Sequence, residues 1–445
     1  MTSVAEAVRP YAENFESMQA ALAACTPDWL AILRHAAFAR FAEQGFPSPR
    51  AENWKYTPTR PLEKRAFSFN AESSTAVGTK DIEGALLRAS TACTLVFVNG
   101  CYSASLSRQS TVTGLRITVL DDALQHQASQ LEQSLVTSDN WEHDPFTLLN
   151  TAFLQHGVTI ELDAGTTLTA PLQLLFVSSK QSKPCASHPR IVLRMGKHSA
   201  ATLVETWQGL DGADNFANSY TQIELAQAAQ LEHLRVQREA AQEFHVSRVM
   251  AHQQANSRYA SHTLNIGGRW VRTDLHSRLE APDAETQFNG LYIVDNHQHV
   301  DNHTRIDHAA PDTRSDELYR GIVAGNGHAV FNGKVVVAEH AVHADAAQVN
   351  NNLLLSRNAE IDTKPELEIY ADDVKCSHGA TVGQLDEQAL FYLRSRGLGE
   401  DEARSLLTGA FALSVLDRIV SPVLRDFARA QIRLALPGAV AMEAV

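Results

Sequence analysis

No stretch of this chain approaches the ~20 consecutive apolar residues that a membrane helix requires, so no helical membrane span is expected. Runs of basic residues are missing as well. Lys and Arg number 38 against 51 Asp and Glu, a formal net charge of −13. Such a surface repels a phosphate backbone, which argues against nucleic acid as a partner. Cysteine is scarce and odd in number: Cys25, Cys93, Cys101, Cys185 and Cys376 are scattered through the chain. That is no disulfide framework, and free thiols fit a reducing cytoplasm. The N-terminus carries Glu6 and lacks a basic segment followed by an apolar one, so a signal peptide is not expected. Common enzyme signatures are absent too. There is no Gly-x-x-x-x-Gly-Lys-Ser/Thr loop, no Gly-x-Ser-x-Gly elbow and no His-Glu-x-x-His helix, and Gly267-Gly268 does not extend to a dinucleotide fingerprint.

What remains is ordinary globular material, 44% hydrophobic and 20% charged, long enough at 445 residues for several domains or one long repetitive core. Three textures divide it at residues 1–90, 91–379 and 380–445. In the first, apolar residues recur at helical spacing from Glu13 to Gln44, as in Leu30, Leu33, Ala37 and Phe41, with Gly45 as a stop. A proline-punctuated segment follows, Phe46 to Pro58, whose Trp54 and Tyr56 suggest a loop pinned to a surface. The second region reads as short strands, among them Thr94–Val98, Gln173–Val177 and Gly333–Val337. The triplet Phe288-Asn289-Gly290 returns as Phe331-Asn332-Gly333, 43 residues later. Two turns of a coil with about 20-odd residues each would give that spacing, with glycines at matching corners and like residues stacked at Asn350, Asn351 and Asn352. A parallel β-helix is therefore favoured over a sandwich or barrel. In the third region Asp386 can cap a helix through Arg396 that Gly397 ends. A second follows from Glu400 to Ile419 with an apolar stripe of Leu406, Leu407, Ala410, Phe411, Leu413 and Leu416, and Pro422 opens a third to about Leu434.

Two groups of residues could carry chemistry. His297, His299, His303 and His308 are the densest histidines. Two apart on a strand, His297 and His299 would share a face about 7 Å apart and could chelate a metal if a third ligand converged. The plain alternative is a polar outer strand face. In Val374-Lys375-Cys376-Ser377-His378, Cys376 and His378 share a face with Val374. They are either core residues or half of an iron or iron–sulfur site, a thiolate and an imidazole whose remaining ligands come from another chain. Lys375 would favour the thiolate.

The stretch from Glu366 to Leu398, with Cys376-Ser377-His378-Gly379 at its centre, resembles the hallmark of the SufB/SufD family of iron–sulfur cluster assembly proteins. Glu52-Asn53-Trp54-Lys55-Tyr56-Thr57 resembles the family's N-terminal motif, and the stretch from Asp301 to Val337 resembles its central rungs. The Trp-Lys-Tyr-Thr segment and the single Cys-Ser-His favour the SufD branch. This resemblance implies a right-handed parallel β-helix core flanked by N-terminal and C-terminal helical regions, in a non-catalytic scaffold subunit. It further implies a β-helix heterodimer with SufB, and the ABC-type ATPase SufC bound by the C-terminal helices, with Leu390, Tyr392, Leu393, Arg394, Arg396 and Leu398 at that contact; whether the isolated chain forms a homodimer the sequence leaves open. Cys376 and His378 would meet the nascent cluster or iron at the SufB–SufD junction, and reduced flavin is associated with the assembled complex. Two other classes stand against it. A β-helix polysaccharide lyase or hydrolase would need clustered or paired acids in a groove, and a cupin-like metal enzyme would need His297, His299 and His303 to converge.

Overall fold

A computed structural model of the chain describes residues 4–23, 26–69, 77–89, 91–126, 131, 132, 135 and 144–436; Cys25 lies outside them. Its centre is a parallel β-solenoid. One sheet runs from Cys93–Val98 through Leu172–Ser178, Ala200–Gly209, Gln230–Arg238, Arg258–Asn265, Glu285–Val294, Arg314–Val323 and Asp345–Leu354 to Lys375–Gly383. The facing sheet runs from Leu115–Val119 through Gly157–Leu162, Arg190–Met195, Phe216–Leu225, Phe244–Gln253, Trp270–Leu279, His299–His308 and His328–Val337 to Glu360–Ile369. From Arg190 onward, consecutive strands alternate between the two sheets and each pairs in parallel with its neighbours one turn away. Most of these strands hold ten residues, longer than the apolar runs alone suggest, because their outer faces are polar.

Register fixes the coil. Ala200, Gln230, Arg258, Glu285, Arg314, Asp345 and Lys375 are successive partners, so one turn takes 27 to 31 residues. The 43-residue spacing of the Phe-Asn-Gly triplets is thus one and a half turns, and the two copies lie on opposite sheets. Their glycines are not corner residues. A Cβ on Gly290 would overlap the ring of Tyr319 in the next rung, and one on Gly321 would overlap Tyr292. Each tyrosine lies flat over a backbone that only glycine leaves bare. The asparagines do not ladder either. Tyr292 donates to Asn352 Oδ1 at 2.5 Å, while Asn350 Nδ2 donates to the Tyr292 hydroxyl at 3.1 Å. Buried among apolar neighbours, these groups satisfy one another.

The true once-per-turn signal is at the corners. His198, Ala228, Asn256, Asp283, Asp312 and His343 all have φ between 56° and 61°, in the left-handed region, at the same bend of successive turns. Most pass their N–H to a carbonyl in the next turn, as Ala228 does to Ala255 and Asp312 to Val342.

Helices cover the two outer faces. Val4–Leu22 and Asp28–Gln44 are separate helices broken around Pro27, and Gly45, at φ 67°, stops the second as its sequence predicts. With Pro145–Ala152 they pack Tyr11, Phe15, Phe41 and Phe146 onto Phe216, Phe244 and Trp270 of the second sheet. Glu400–Leu413 and Pro422–Ala435 lay Ala412, Leu424, Phe427 and Ile432 on Leu234, Leu264, Leu291 and Ile322 of the first. The stripe of the Glu400 helix expected from sequence is rotated: Ala403 and Ala412 are buried while Ala410 is exposed, and the last turn tightens into a 3-10 segment, Ser414–Arg418.

Replacing Gly290 by Ala should destabilise the fold by about 1–3 kcal/mol, because Tyr319 has no room to withdraw. The denaturation midpoint measures this, and an unchanged midpoint would refute the packing.

Candidate functional site

The two ends of the solenoid differ. At the N-terminal end the ladders finish on short antiparallel strands: Leu115–Val119 on Gly157–Leu162, and Cys101–Tyr102 with Arg108–Gln109 on Cys93–Val98. At the other end Glu360–Ile369 and Lys375–Gly383 each pair on one side only among the described residues. Unpaired edge strands present rows of open N–H and C=O groups, ready templates for another chain. Pro365 interrupts one of these edges, and the exposed Ile369, Tyr370 and Val382 add apolar surface to the rim.

Cys376 and His378 both lie in the last strand of the first sheet, and its alternation points them towards the inside of the coil. Cys376 stacks on the buried Ala346 and His378 on the buried Gln348. Among the described residues nothing stacks on their far side. Cys376 is consequently half-buried, packed beside Val335 and Ala344, whereas His378 is exposed. The alternatives left by the sequence therefore divide between the two residues, one leaning on the core and the other free at its mouth. The thiol is not activated by Lys375. Burial, with the Asp345 carboxylate behind it, raises the Cys376 pKa and holds the thiol protonated.

Below His378 the column continues inward through Gln348 and Glu317 to Phe288. Gln348 Nε2 donates to Glu317 Oε2 at 2.6 Å. Glu317 is almost wholly buried, and burial pushes its pKa up to about 7 despite hydrogen bonds from Thr304 and Gln348. A carboxyl that keeps its proton up to about pH 7 thus sits two layers beneath the exposed imidazole.

Beyond the last strand, Asp386 caps the helix Glu387–Ser395 by accepting from Gln388 N at 2.9 Å, and Gly397, at φ 99°, ends it. Leu390 is buried and Leu393 and Leu398 are half-buried, while Tyr392, Arg394 and Arg396 face solvent. Phe391, which sequence reasoning passed over, is 74% exposed and Tyr392 56%. The broad stripe of the two later helices is spent on the solenoid itself, so this first helix carries the free aromatic surface.

Along the whole chain the comparisons agree. Residues 5–174 match the model described as the SufBD protein N-terminal region, and residues 176–411 match the SufBD core domain of SUF system FeS cluster assembly. The iron–sulfur cluster assembly protein SufD of Escherichia coli is 32% identical over 397 residues, 88% of this chain and 90% of that one. An iron–sulfur cluster assembly SufBD family protein of Synechocystis is 33% identical over 382 residues, 84% of each. The chain belongs to the SufBD family. It is a SufD-like member of that iron–sulfur cluster assembly family, and the resemblance carried by the Cys376 motif and the Trp54 segment extends over most of its length.

Within this family frame the N-terminal motif is a clamp on the second sheet. Trp54 is buried, stacked on Phe146 at 5.3 Å with the Arg272 guanidinium 3.9 Å from its ring centre. Arg272 Nη1 donates to the Asn53 carbonyl and to Asp301 at 2.7 Å each. Thr57, rather than the half-buried Tyr56, is the second anchor, donating to Asp301 Oδ2 at 2.5 Å. A cleft of about 470 Å³ opens beside it, lined by Trp54, Arg248, Arg272, Arg305, His303 and Lys334 among others.

The four clustered histidines do not converge. His297 is exposed in a turn, and His308 points inward, bonded to Thr313 at 2.8 Å and Ser315 at 2.9 Å. His299 and His303 share the outer face, but Asp301 stands between them and holds His303 Nε2 at 3.1 Å. A cupin-like triad of His297, His299 and His303 is therefore ruled out by strand geometry. Sequence reasoning also missed a pairing of distant residues. His156 lies with Nε2 at 3.9 Å from Cys101 Sγ and Nδ1 at 2.9 Å from Asp121. Burial works against its charged form, yet Asp121 and Cys101 outweigh it and raise the His156 pKa to about 10.

Two measurements check this site. Iodoacetamide at pH 7.5 should label Cys376 slowly, and Cys93 and Cys185, both raised to about 12 by burial, only after unfolding. Peptide mapping reads this, and labelling of native Cys376 at the rate of a free thiol would contradict it. Glu317 holds its proton more tightly folded than unfolded, so it costs stability increasingly from pH ~4.5 to ~7. Glu317→Gln should therefore stabilise the protein at pH 8 relative to wild type and much less at pH 5, read from denaturation midpoints.

Proposed function

We propose that this protein is a non-catalytic scaffold subunit, the SufD of a SufBCD complex, and that it acts at the open end of its solenoid. The observation that carries the reading is the pairing of an unclosed sheet edge with inward-facing Cys376 and exposed His378 at its mouth. A SufB solenoid laid against that edge would extend both sheets and bring its own ligands opposite His378. Iron or a nascent cluster is then the cargo of the junction, held by Cys376 and His378 together with groups from the partner. A thiol kept protonated in the lone chain suits such a shared site, since a bound metal favours the thiolate. The same edge can pair with a second copy when SufB is missing, giving a homodimer.

The helix Glu387–Ser395 is the proposed seat of the ATPase SufC, with Leu390, Tyr392, Leu393, Arg394, Arg396 and Leu398 forming the contact. Its exposed Phe391 and Tyr392 support that assignment, being aromatic anchors of the kind that dominate interfaces. ATP hydrolysis belongs to SufC in this reading, reduced flavin belongs to the assembled complex, and the location is cytoplasmic. The division into an N-terminal region (1–90), a solenoid (91–379) and an ATPase-binding region (380–445) follows the same roles.

His378→Ala should abolish cluster maturation in cells depleted of their own SufD while leaving the circular dichroism spectrum and melting point unchanged. Normal maturation in that variant would sink the site. Replacing Phe391 and Tyr392 together by Ala should cut SufC recovered on co-purification by tenfold or more without loss of SufB. Full recovery of SufC would move the contact elsewhere.

A further inference from the structure

On the outer face of the second sheet, away from Cys376 and His378, three successive rungs stack His299, His328 and Glu360 in register, and Asp362 lies on the same face as Glu360. The ligand atoms of His328, Glu360 and Asp362 lie within 4.8 Å of one another. His328 Nε2 is 2.8 Å from Asp362 Oδ2, and His328 Nδ1 is 3.2 Å from His299 Nδ1.

The hydrogen bonds behind this group hold the His328 ring in place. The hydroxyl of Thr57 donates to Asp301 Oδ2, which Arg272 also engages at 2.7 Å. Thr57 Oγ1 then accepts from His299 Nε2–H at 3.1 Å. His299 Nδ1 in turn shares a hydrogen bond of 3.2 Å with His328 Nδ1. With Nδ1 engaged on that side, His328 Nε2 is the nitrogen turned towards the carboxylates.

We propose that His328, Glu360 and Asp362 form a binding site for a divalent first-row transition metal, with His299 and Thr57 positioning the His328 ring. One imidazole and two carboxylates suit Zn²⁺, Fe²⁺ or Mn²⁺, and their two negative charges neutralise a dication. Three protein ligands leave coordination positions open, so the ion is exchangeable rather than a closed structural centre. The nearby cation Lys364 is already drawn aside by Glu52 at 2.8 Å and Glu366 at 3.0 Å. The chain His328–His299–Thr57–Asp301 is the outer-shell arrangement that fixes a ligating histidine's tautomer. It ties the site to the Trp54-to-Thr57 clamp, a motif that the cluster-assembly reading leaves without a task. The inference does not depend on that reading.

The test is anaerobic titration of the purified full chain with Co²⁺, followed by its visible d–d absorption and by Zn²⁺ competition. One equivalent should bind and be displaced by Zn²⁺. His328→Ala and Asp362→Asn should each abolish the absorption. Thr57→Val should weaken binding about 10–100-fold, as loss of an outer-shell partner does. The double variant Cys376→Ala, His378→Ala should bind as wild type does, which separates this site from the proposed cluster junction. Melting curves confirm that each variant is folded, and the half-exposed Asp362 gives the reading if His328→Ala fails to fold. The proposal is overturned if folded wild type shows no saturable band, if several equivalents bind without distinction, or if the band survives both ligand substitutions.

Discussion

A parallel ladder hands every backbone group to a neighbour one turn away, and that handing-on has to stop somewhere. In this protein the two stops are built differently. Antiparallel strands fold back over the first rungs, while among the described residues the last rungs carry no such strand and end on parallel edges. That asymmetry decides how the inward-facing columns end. A column that is buried at Phe288 and Glu317 is exposed at His378 because the coil runs out of turns, not because the residue type changes direction.

The outer faces answer a second demand. Sheets this long expose two broad surfaces, and each is covered by its own set of helices. The N-terminal pair contributes mostly aromatic rings, while the C-terminal pair lays aliphatic side chains on the other sheet. Where helices stop, polar residues take over, and the clamp around Trp54 marks one such boundary. There the outer face becomes a network of Arg272, Asp301, Thr57 and His299, joined to one another by hydrogen bonds. A buried polar network of this kind rigidifies what it touches only when its members are satisfied.

The sequence carried the architecture better than its dimensions. Short apolar runs marked strands, and Asp386, Gly397 and Gly45 marked helix ends where the structure has them, because capping and left-handed stops are local chemistry. The coil period was misread because the repeated Phe-Asn-Gly triplet serves Tyr stacking on one sheet and room for Gln348 on the other, not a corner. The corners themselves use His, Ala, Asn and Asp in the left-handed region, a mixture without a compositional signature. Cys376 and His378 could be placed on one face by alternation, but not at an open end. That depends on how many turns precede them. Pairings such as His156 with Asp121, or His299 with Thr57, join residues far apart in the chain and have no local sign.

The uneven turn length has a consequence for how such a molecule can change over time. An inserted residue inside a strand would move the later side chains of that strand to the opposite face, breaking their columns at that rung. The same insertion at a bend between strands alters only the bend, as the contrast between the four residues Ala226–Ala229 and the seven residues Ala338–Ala344 already shows. Length variation is thereby funnelled into the corners, and a foreign peptide or reporter placed there should leave the mouth of the solenoid and its histidine undisturbed.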